Sequence, residues 1–400
     1  MNNITLYYGP KREFARLLPV YNNLNNNNLK DEFTDFELEK PKVIMTISEL
    51  AILIDKKMRE HVFQIQTKSS ENKQSKPENK MFIDALIGWS DQYAALSESA
   101  VQGFLSFLDQ YNICELYLQN PPKSIAEQLI KSQEVLQAEI KIYSYKYNSI
   151  DLNAIKEINL NYSSYIIGQE QALRNILLAL YPLTRENYSR PAVLLFYGST
   201  GVGKTETANF LSKILKQNLF RRQLSMFNSS EFASYLFGGR HSQTCFAKDL
   251  MERESNIILL DEFDKIASAY HSAFYQIFDE GIYEDKNYAA DLRRSVIICT
   301  SNYKSEQDAR EHIGAPLFAR FDAVIKFNDL NNAAAKQILE REFEHELNNL
   351  DARELEYIYE IKDGLHEKIL NLNGSCDARA LKRRVKNIIS NAILDKILKI

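Results

Sequence analysis

The glycine-rich stretch GSTGVGKT, Gly198–Thr205, constrains the fold of this chain more than any other feature. It follows the apolar run AVLLFY and precedes ETANFLSKIL, whose apolar residues recur at helical spacing. Backbone N–H groups can surround phosphate oxygens only where glycine permits the required backbone angles and a close approach. The pattern therefore predicts a buried strand of a parallel sheet that ends in a nucleotide phosphate site.

Each position of this loop has an expected task. Lys204 is expected to neutralise the β- and γ-phosphates of ATP, and the Thr205 hydroxyl is expected to ligate Mg²⁺. The N-terminus of the following helix adds a favourable dipole. The residues predicted to contact the nucleotide here are Gly198, Ser199, Thr200, Gly201, Val202, Gly203, Lys204, Thr205 and Glu206.

A second motif, NIILLDEFDK at Asn256–Lys265, places two carboxylates directly after an apolar run. Such a run is typical of a central parallel strand, whose carboxyl end delivers side chains to the ligand site. Asp261 is predicted to hold the Mg²⁺ ion through its water shell. Glu262 is predicted to act as the general base that polarises the attacking water.

The rest of the chain divides by pattern into four parts. Residues 1–147 alternate short apolar runs with helical periodicities, which predicts a small α/β domain. Residues 148–164 are polar and asparagine-rich, and we expect a linker there. Residues 165–330 alternate strands and helices, which predicts a core with a parallel sheet, and the pattern of residues 331–400 predicts a small helical domain.

Within the N-terminal part, the expected elements are specific enough to be checked. The predicted strands are Ile4–Tyr8, Lys42–Ile47, Cys114–Leu118 and Lys141–Tyr147, and the predicted helices are Ser48–Phe63, Tyr93–Tyr111 and Ser124–Gln137. Two polar segments, Asn22–Asn28 and Gln66–Lys80, are expected to be solvated loops.

Composition excludes several classes of protein. The net charge of −4 gives no basic field, so nucleic acid is an unlikely partner. The four cysteines form no CxxC pair, which argues against a disulfide framework or a zinc site and favours a reducing cytoplasm. The beginning of the sequence shows no signal-peptide pattern, and no apolar run is long enough to span a bilayer. We expect a cytoplasmic protein with no membrane contact.

Taken in order, the motifs resemble those of AAA+ ATPases of the Clp type. About residues 165–398 resemble the second ATPase domain of ClpA and ClpB, and they also resemble ClpX. Besides the two motifs above, it rests on IIGQEQAL (Ile166–Leu173), AFYQIFDEGIYED (Ala273–Asp285), DLRRSVIICTSN (Asp291–Asn302), PLFARFDAVIKF (Pro316–Phe327) and CDARALKRRV (Cys376–Val385).

The resemblance implies further site residues. Ile166 and Ile167 would contact adenine, and Asn302 would be the sensor-1 residue that positions the lytic water. Arg320 would be the arginine finger that completes a neighbouring subunit's site, so the resemblance implies a homo-oligomer, a hexameric ring in this family. The resemblance also implies that residues 165–330 are an ATPase core and residues 331–400 a helical lid. Arg379 would be the sensor-2 residue of this lid, although Asp377 stands where the family has glycine.

The stretch SSEFASYLFGGRHSQTCF, at 229–246, lies where Clp-type unfoldases carry their pore loop. Counted back from Asp261, Phe237 takes the place of the aromatic residue that would grip a polypeptide. Counted forward from the phosphate loop, the tip is GRHSQT, which has no aromatic residue. Phe237 is therefore either a pore-loop residue or a core aromatic at the base of the loop. Arg240 and His241 are expected to be solvated.

Two functions follow from these observations. The first is an ATP-driven machine that remodels or unfolds a protein substrate, which the N-terminal domain selects directly or through an adaptor. The second is a nucleotide-gated oligomeric switch whose N-terminal domain is the sensor or effector, without substrate threading. A nucleic-acid motor is the weakest alternative because the chain is mildly acidic. No peptidase-docking tripeptide is evident after Asn302, so a peptidase partner is not predicted.

Overall fold

A computed structural model describes residues 1–18, 43–56, 80–226, 229–370 and 377–398. These residues fall into two compact units. The first comprises the described parts of Met1–Tyr147, Phe227–Glu254 and Ile282–Asp291, and the second those of Asn148–Met226, Ser255–Gly281 and Leu292–Ile400. The expected loop at 22–28 lies outside the described residues, as do residues 66–79 of the other expected loop.

A five-stranded parallel sheet forms the centre of the first unit. Its strands are β1 (Asn3–Tyr8), β2 (Ile44–Thr46), β3 (Phe82–Gly88), β4 (Asn112–Gln119) and β5 (Glu139–Ser144), in the order β2-β3-β4-β1-β5. Four consecutive residues of β1 are buried, as expected for a parallel strand covered on both faces. The helices beside it are Lys11–Ala15, residues 47–56, Glu98–Gln102, Phe104–Leu108, Lys123–Lys131 and Gln133–Leu136, with a 3₁₀ turn at Gln92–Ala95.

All four strands predicted in this part are present, with ends that differ by a few residues. The prediction missed β3, because its short run FIDALIG follows a long polar segment. It was also wrong to join 93–111 into one helix. Ser97 starts a new helix by accepting a hydrogen bond from Ala100 N, and Gly103 ends that helix.

The first unit also contains two segments that come from the middle of the chain. They form the helices Ser229–Phe237 and Phe246–Met251 and the antiparallel hairpin of β9 (Ile282–Glu284) and β10 (Ala289–Asp291). Aromatic rings join these elements: the Phe246 ring lies 5.8 Å from that of Tyr235 and 5.0 Å from that of Tyr283. The Tyr283 hydroxyl also donates to the carbonyl of Leu236.

The second unit has its own five-stranded sheet, and every pair of neighbouring strands is parallel, as predicted. The strands are β6 (Ala192–Tyr197), β7 (Phe220–Gln223), β8 (Ile257–Asp261), β11 (Val296–Thr300) and β12 (Ala323–Lys326), in the order β12-β6-β11-β8-β7. β6, β8 and β11 are buried along their whole length. Their carboxyl ends therefore meet at one edge, where ligands of such sheets bind.

Helices complete the second unit. Around the sheet they are Leu152–Tyr165, Glu170–Leu180, Lys204–Ile214, Tyr275–Glu280, Glu306–Ile313 and Ala315–Phe318, with 3₁₀ turns at Tyr181–Thr184, Leu224–Met226, Phe263–Lys265 and Ser268–Phe274. The C-terminal helices are Asn332–Leu347, Ala352–Glu360, Lys362–Leu370 and Ala378–Leu398. These C-terminal helices pack around a separate apolar cluster, as expected for a small helical domain.

The segment expected to be a linker contains a helix that belongs to the core. Asp151 caps Leu152–Tyr165 by accepting a hydrogen bond from Ala154 N at 2.7 Å. Ala154, Ile158 and Tyr162 recur every four residues and are buried against the sheet of the second unit. The many polar residues of this segment lie on the other face, which concealed the helical pattern. Among the described residues, no helix is both long and apolar enough to cross a membrane.

Candidate nucleotide site

The phosphate loop joins β6 to the helix Lys204–Ile214 through a backbone that requires glycine. Gly198, Gly201 and Gly203 all have positive φ angles, of 133°, 71° and 109°. A Cβ atom on Gly198 would lie 2.3 Å from the carbonyl oxygen of Phe327. The loop can therefore turn tightly with its N–H groups free of side chains, which is the geometry expected for a phosphate cradle.

Lys204 lies at the start of the helix and is only 8% exposed. Its ammonium donates to the carbonyls of Gly198 and Ser199, both at 2.7 Å, and to Asn302 Oδ1 at 3.4 Å. Burial lowers the pKa of Lys204 to about 8, against the opposing effect of nearby carboxylates. Keeping Lys204 protonated therefore costs free energy in the free protein, and a bound anion would stabilise the charged form.

This pKa predicts a pH dependence of nucleotide binding. An ammonium that loses its proton near pH 8 no longer attracts phosphate, so raising the pH from 7.5 to 9.5 should weaken ATP affinity roughly tenfold. The unfolded chain keeps this proton up to higher pH, so Lys204 deprotonation makes the free energy of unfolding rise with pH above 8. Calorimetric titration with ATP would measure the first effect, and adenosine, which lacks phosphate, is the control. Equal weakening for both ligands would contradict a role of Lys204 in phosphate binding.

Asp261, the last residue of β8, is largely buried and has two partners. Arg221, on the neighbouring strand β7, lies 2.5 Å from Asp261 through Nη2 and Oδ2. The Thr300 hydroxyl, at the end of β11, donates to the other carboxylate oxygen. The carboxylate is held at the edge of the sheet, where its charge can serve a cation. Neither partner was predicted from the sequence.

Glu262, the next residue, has a left-handed backbone with φ of 57°. This conformation turns the chain out of the strand, and the N–H of Glu262 donates to Thr300 Oγ1 at 3.1 Å. The carboxylate accepts hydrogen bonds from Ser225 Oγ and from Gln223 Nε2. These bonds, that from Ser225 foremost, lower the pKa of Glu262, so it is an anion at neutral pH.

A cavity of about 450 Å³ brings most of the predicted residues together. Those that line it are Ile166, Ile167, Thr200, Gly201, Val202, Gly203, Lys204, Thr205, Glu206, Asp261, Glu262, Asn302 and Arg379. Residues that the prediction missed line it as well: Tyr165, Arg221, Gln223, Thr300, Ser301, Leu330, Ile338, Arg341, Ala378 and Lys382. It therefore combines carboxylates and cations with an apolar part, as an adenine nucleotide needs.

The last helix reaches this cavity through Ala378, Arg379 and Lys382, and Asp377 precedes it at the position where a glycine was expected. Asp377 Oδ1 accepts a hydrogen bond from Arg379 N at 2.8 Å, and Ala378 N donates to Gly201 O at 3.0 Å. The Asp377 side chain lies so close to Gly201 that a Cβ there would meet its Oδ1 at 1.8 Å. The unusual aspartate thus fixes the start of the lid helix and leaves Arg379 beside the cavity.

Four predicted residues do not line the cavity. The carbonyls of Gly198 and Ser199 accept from Lys204 within the phosphate loop, and Arg320 and Phe237 lie elsewhere. Arg320 is absent from the described residues that line the cavity, and it pairs with Asp279 Oδ2 at 2.7 Å and stacks on the ring of Tyr275 at 4.5 Å. Phe237, in the first unit, ends the helix Ser229–Phe237 and is 46% exposed. That exposure argues against a core aromatic.

Of the two residues after Phe237 that were expected to be solvated, only one is exposed. Arg240 is exposed, as expected. His241 is buried, because its Nε2 bonds to the carbonyl of Leu96 at 2.9 Å and its own carbonyl accepts from the Tyr288 hydroxyl.

Gln169 supports the phosphate loop from behind. It is almost fully buried, and its amide donates to Val202 O at 3.2 Å and to Asn328 O at 2.8 Å while accepting from Asn328 N. We expect Gln169→Ala to lower the free energy of unfolding by about 1–3 kcal/mol, because buried backbone groups lose their partners. Urea unfolding measures this change. Gln171→Ala, at an exposed neighbour that also contacts Asn328, is the control and should have little effect.

Comparisons with known proteins agree with this geometry. The AAA domain family (Cdc48 subfamily) matches residues 190–351. Chaperone protein ClpB of Wolinella succinogenes is 26% identical over 264 residues, which are 58% of this chain and 31% of that protein. The mitochondrial disaggregase of Bos taurus is 31% identical over 36% of this chain and 24% of its own length.

Over residues 190–351 this chain is similar to the AAA+ ATPase domains of Clp-type proteins. A similar match is the AAA+ ATPase ClpV1 of Pseudomonas aeruginosa, 27% identical over 44% of this chain. The chain spans about a third of the length of the ClpB proteins that it matches. A structure of Hsp104 in its closed state, with ATPγS and FITC-casein, aligns with a TM-score of 0.52 and 15% identity. It covers 97% of this chain and 69% of that one, and it supports the fold.

Proposed function

We propose that this Clp-type AAA+ protein binds ATP with Mg²⁺ and hydrolyses it. The observation that carries the proposal is one cavity lined by Lys204, Asp261, Glu262, Asn302 and Arg379. Those side chains supply a cation, a metal-binding acid, a base and two polar groups for the phosphates. The proposed domains are an N-terminal α/β domain at 1–147, an ATPase core at 165–330 and a helical lid at 331–400. Residues 148–164 lie between the first two.

The residues present fit ATP and magnesium. The positive φ angles of Gly201 and Gly203 let the loop turn its backbone N–H groups toward phosphate oxygens, and Lys204 would neutralise their charge. Thr205 and Asp261 offer the oxygen ligands that Mg²⁺ prefers. A bound magnesium ion would neutralise developing charge on the phosphates, and Arg221 would then exchange Asp261 for solvent or another partner.

The hydrolytic step relies on Glu262. Its lowered pKa keeps it ionised, so it can accept a proton from water as the water attacks the γ-phosphate. Ser225 and Gln223 hold the carboxylate in the free protein, and a shift toward water would require these bonds to loosen. Asn302, already bonded to Lys204, would orient the water, and Arg379 would bring the lid to the phosphates.

We propose further that the active form is a homo-oligomer, a ring in which Arg320 completes the next subunit's site. Arg320 pairs with Asp279 and is absent from the described lining of its own cavity. An arginine placed outside its own cavity could stabilise transition-state charge in the site of a neighbouring subunit. The proposed cellular location is the cytoplasm.

Protein remodelling is the activity that we propose for this machine. The relatives named as chaperone and disaggregase support it, as does Phe237, whose exposed ring could grip any polypeptide through apolar contact. The N-terminal α/β domain would choose the protein substrate or adaptor. A nucleotide-gated switch is the second candidate. It is favoured by the packing of the Phe237 segment, residues 229–254, in one compact unit with the N-terminal sheet.

Phe237→Ala separates these two candidates. For a threading machine, we expect the variant to lose most ATP-dependent solubilisation of an aggregated reporter enzyme while its ATP turnover stays within about twofold of wild type. Phe82→Ala, at another half-exposed phenylalanine of the same unit, is the control. Solubilisation unchanged by Phe237→Ala would exclude threading through this residue. Wild-type turnover without solubilisation would favour the switch, and a wild type without turnover would overturn the hydrolysis proposal.

A further inference from the structure

The carboxyl edge of the N-terminal sheet holds a side chain from the middle of the chain. Gln119 ends β4, Asn120 follows it, and Gly9 follows β1. This edge is where parallel α/β sheets bind their ligands. Here Glu252, which follows the helix Phe246–Met251 in the first unit, occupies it.

The contacts of Glu252 are those of a bound carboxylate. Its Oε1 accepts from Gln119 Nε2 at 2.8 Å and from Asn120 Nδ2 at 2.9 Å, and its Oε2 accepts from Lys11 N at 3.2 Å. Gln119 and Asn120 are fully buried. Three donors therefore converge on one carboxylate in a site that excludes water from the amides.

The two amides are oriented in advance to donate. Gln119 Oε1 accepts from Ser90 N at 3.2 Å, and Asn120 Oδ1 accepts from Gly9 N at 2.9 Å. Both NH₂ groups also donate to Gly9 O. With the amide oxygens engaged, only N–H groups face Glu252, so the site is built for an acceptor such as a carboxylate.

Two other contacts join N-terminal residues to the mid-chain segments of the first unit. Lys123 Nζ donates to Glu284 Oε1 at 2.5 Å and to Asp285 O at 2.6 Å, beside the hairpin of β9 and β10. Within the segment 229–254, His241 Nε2 bonds to Leu96 O at 2.9 Å. The segment 229–254 is thus anchored to N-terminal residues at two points after Phe237, His241 and Glu252.

We propose that Glu252 is an internal carboxylate ligand of the N-terminal domain, and that this contact makes the domain move together with the segment 229–254. After Glu254 the chain enters β8, which ends at Asp261 and is followed by Glu262. The covalent chain thus joins Glu252 to the phosphate site through one strand, and we expect a change at that site to pass along it to Glu252 and the N-terminal sheet. This proposal rests on the proposed ATP binding, and it gives the N-terminal domain a role as sensor or effector.

Hydrogen exchange of the full-length chain tests this proposal, with and without a non-hydrolysable ATP analogue. In wild type, the analogue should change exchange both at the phosphate loop and in β4 with Asn120. Glu252→Ala should keep the change at the phosphate loop, lose the change at β4, and exchange at least threefold faster in residues 246–254 without nucleotide. Glu231→Ala, which removes an exposed carboxylate from the same segment, is the control and should match wild type.

Glu252→Gln provides a second variant if the alanine variant folds poorly. It keeps the acceptor for Gln119 and Asn120 but turns an NH₂ group toward Lys11 N, so its exchange should lie between wild type and alanine. The proposal is overturned if the analogue alters the phosphate loop and leaves β4 unchanged in wild type, or if Glu252→Ala behaves as Glu231→Ala does. If the analogue has no effect at the phosphate loop, ATP binding is refuted instead. The comparison of Glu252→Ala with Glu231→Ala in the absence of nucleotide then tests the Glu252 contact by itself.

Discussion

Replacing Glu262 by glutamine should lower steady-state ATP turnover by about two to four orders of magnitude, the range for loss of a general base. Glutamine has the same size, and its amide oxygen can still accept from Ser225 and Gln223. The binding residues on the phosphate loop are untouched, so ATP affinity should stay close to that of wild type. The variant is therefore expected to hold ATP without cleaving it and to accumulate the assembled form.

Phosphate release measures the turnover, equilibrium binding of labelled ATP measures the affinity, and sedimentation velocity measures the assembly. Glu280→Gln is the matched control, because Glu280 is an exposed glutamate of the same unit that does not line the cavity. Turnover of Glu262→Gln equal to that of wild type would refute the base assignment. If the substrate is a protein, affinity capture with this ATP-holding variant should retain it better than wild type does.

The sequence predicted which residues lie together at the candidate nucleotide site, because motif and backbone geometry are linked there. A glycine loop after a buried strand has few alternative conformations, so Lys204 and its neighbours could be placed from spacing alone. Asp261 and Glu262 followed from the apolar strand before them. The roles themselves remain predictions, while the cavity shows that these side chains lie together.

The partners of these residues could not be predicted in the same way. Arg221, Gln223 and Ser225 lie on or just after β7, an edge strand whose sequence FRRQ has no apolar pattern. Their contacts with Asp261 and Glu262 depend on the pairing of β7 with β8, which brings Gln223 beside Asp261. Such a register is set by the whole sheet and leaves no local signal.

The packing of the Phe237 segment could not be predicted from the sequence either. Gln119 and Glu252 are far apart along the chain, and neither belongs to a recognisable motif. A buried amide beside an acidic residue is visible only once the two elements are placed together. His241 shows the same limit, since a polar loop sequence indicated exposure where a hydrogen bond to Leu96 permits burial.

Arg320→Ala should lower ATP turnover of the homo-oligomer by about three orders of magnitude or more, within the range known for arginine fingers. Within its own subunit Arg320 contacts Asp279 and Tyr275, so its loss should leave nucleotide affinity nearly unchanged. Arg190→Ala is the matched control: Arg190 also contacts Asp279, through its carbonyl at 2.8 Å, and is more exposed. A loss of turnover in both variants would place the effect in Asp279 rather than in a finger.

Mixing subunits decides whether Arg320 acts in a neighbour. An Arg320→Ala subunit has an intact phosphate loop but supplies no finger, whereas a Lys204→Ala subunit cannot use its own loop but still supplies Arg320. Because each subunit lacks what the other offers, mixed oligomers should hydrolyse ATP faster than either variant alone, with a maximum near equal proportions. A finger acting within its own subunit predicts no such recovery, since every chain in the mixture would then carry one complete defect. Phosphate release measured across mixing ratios distinguishes the two cases, and turnover that never exceeds that of the better single variant would refute the assignment of Arg320 to the neighbouring site.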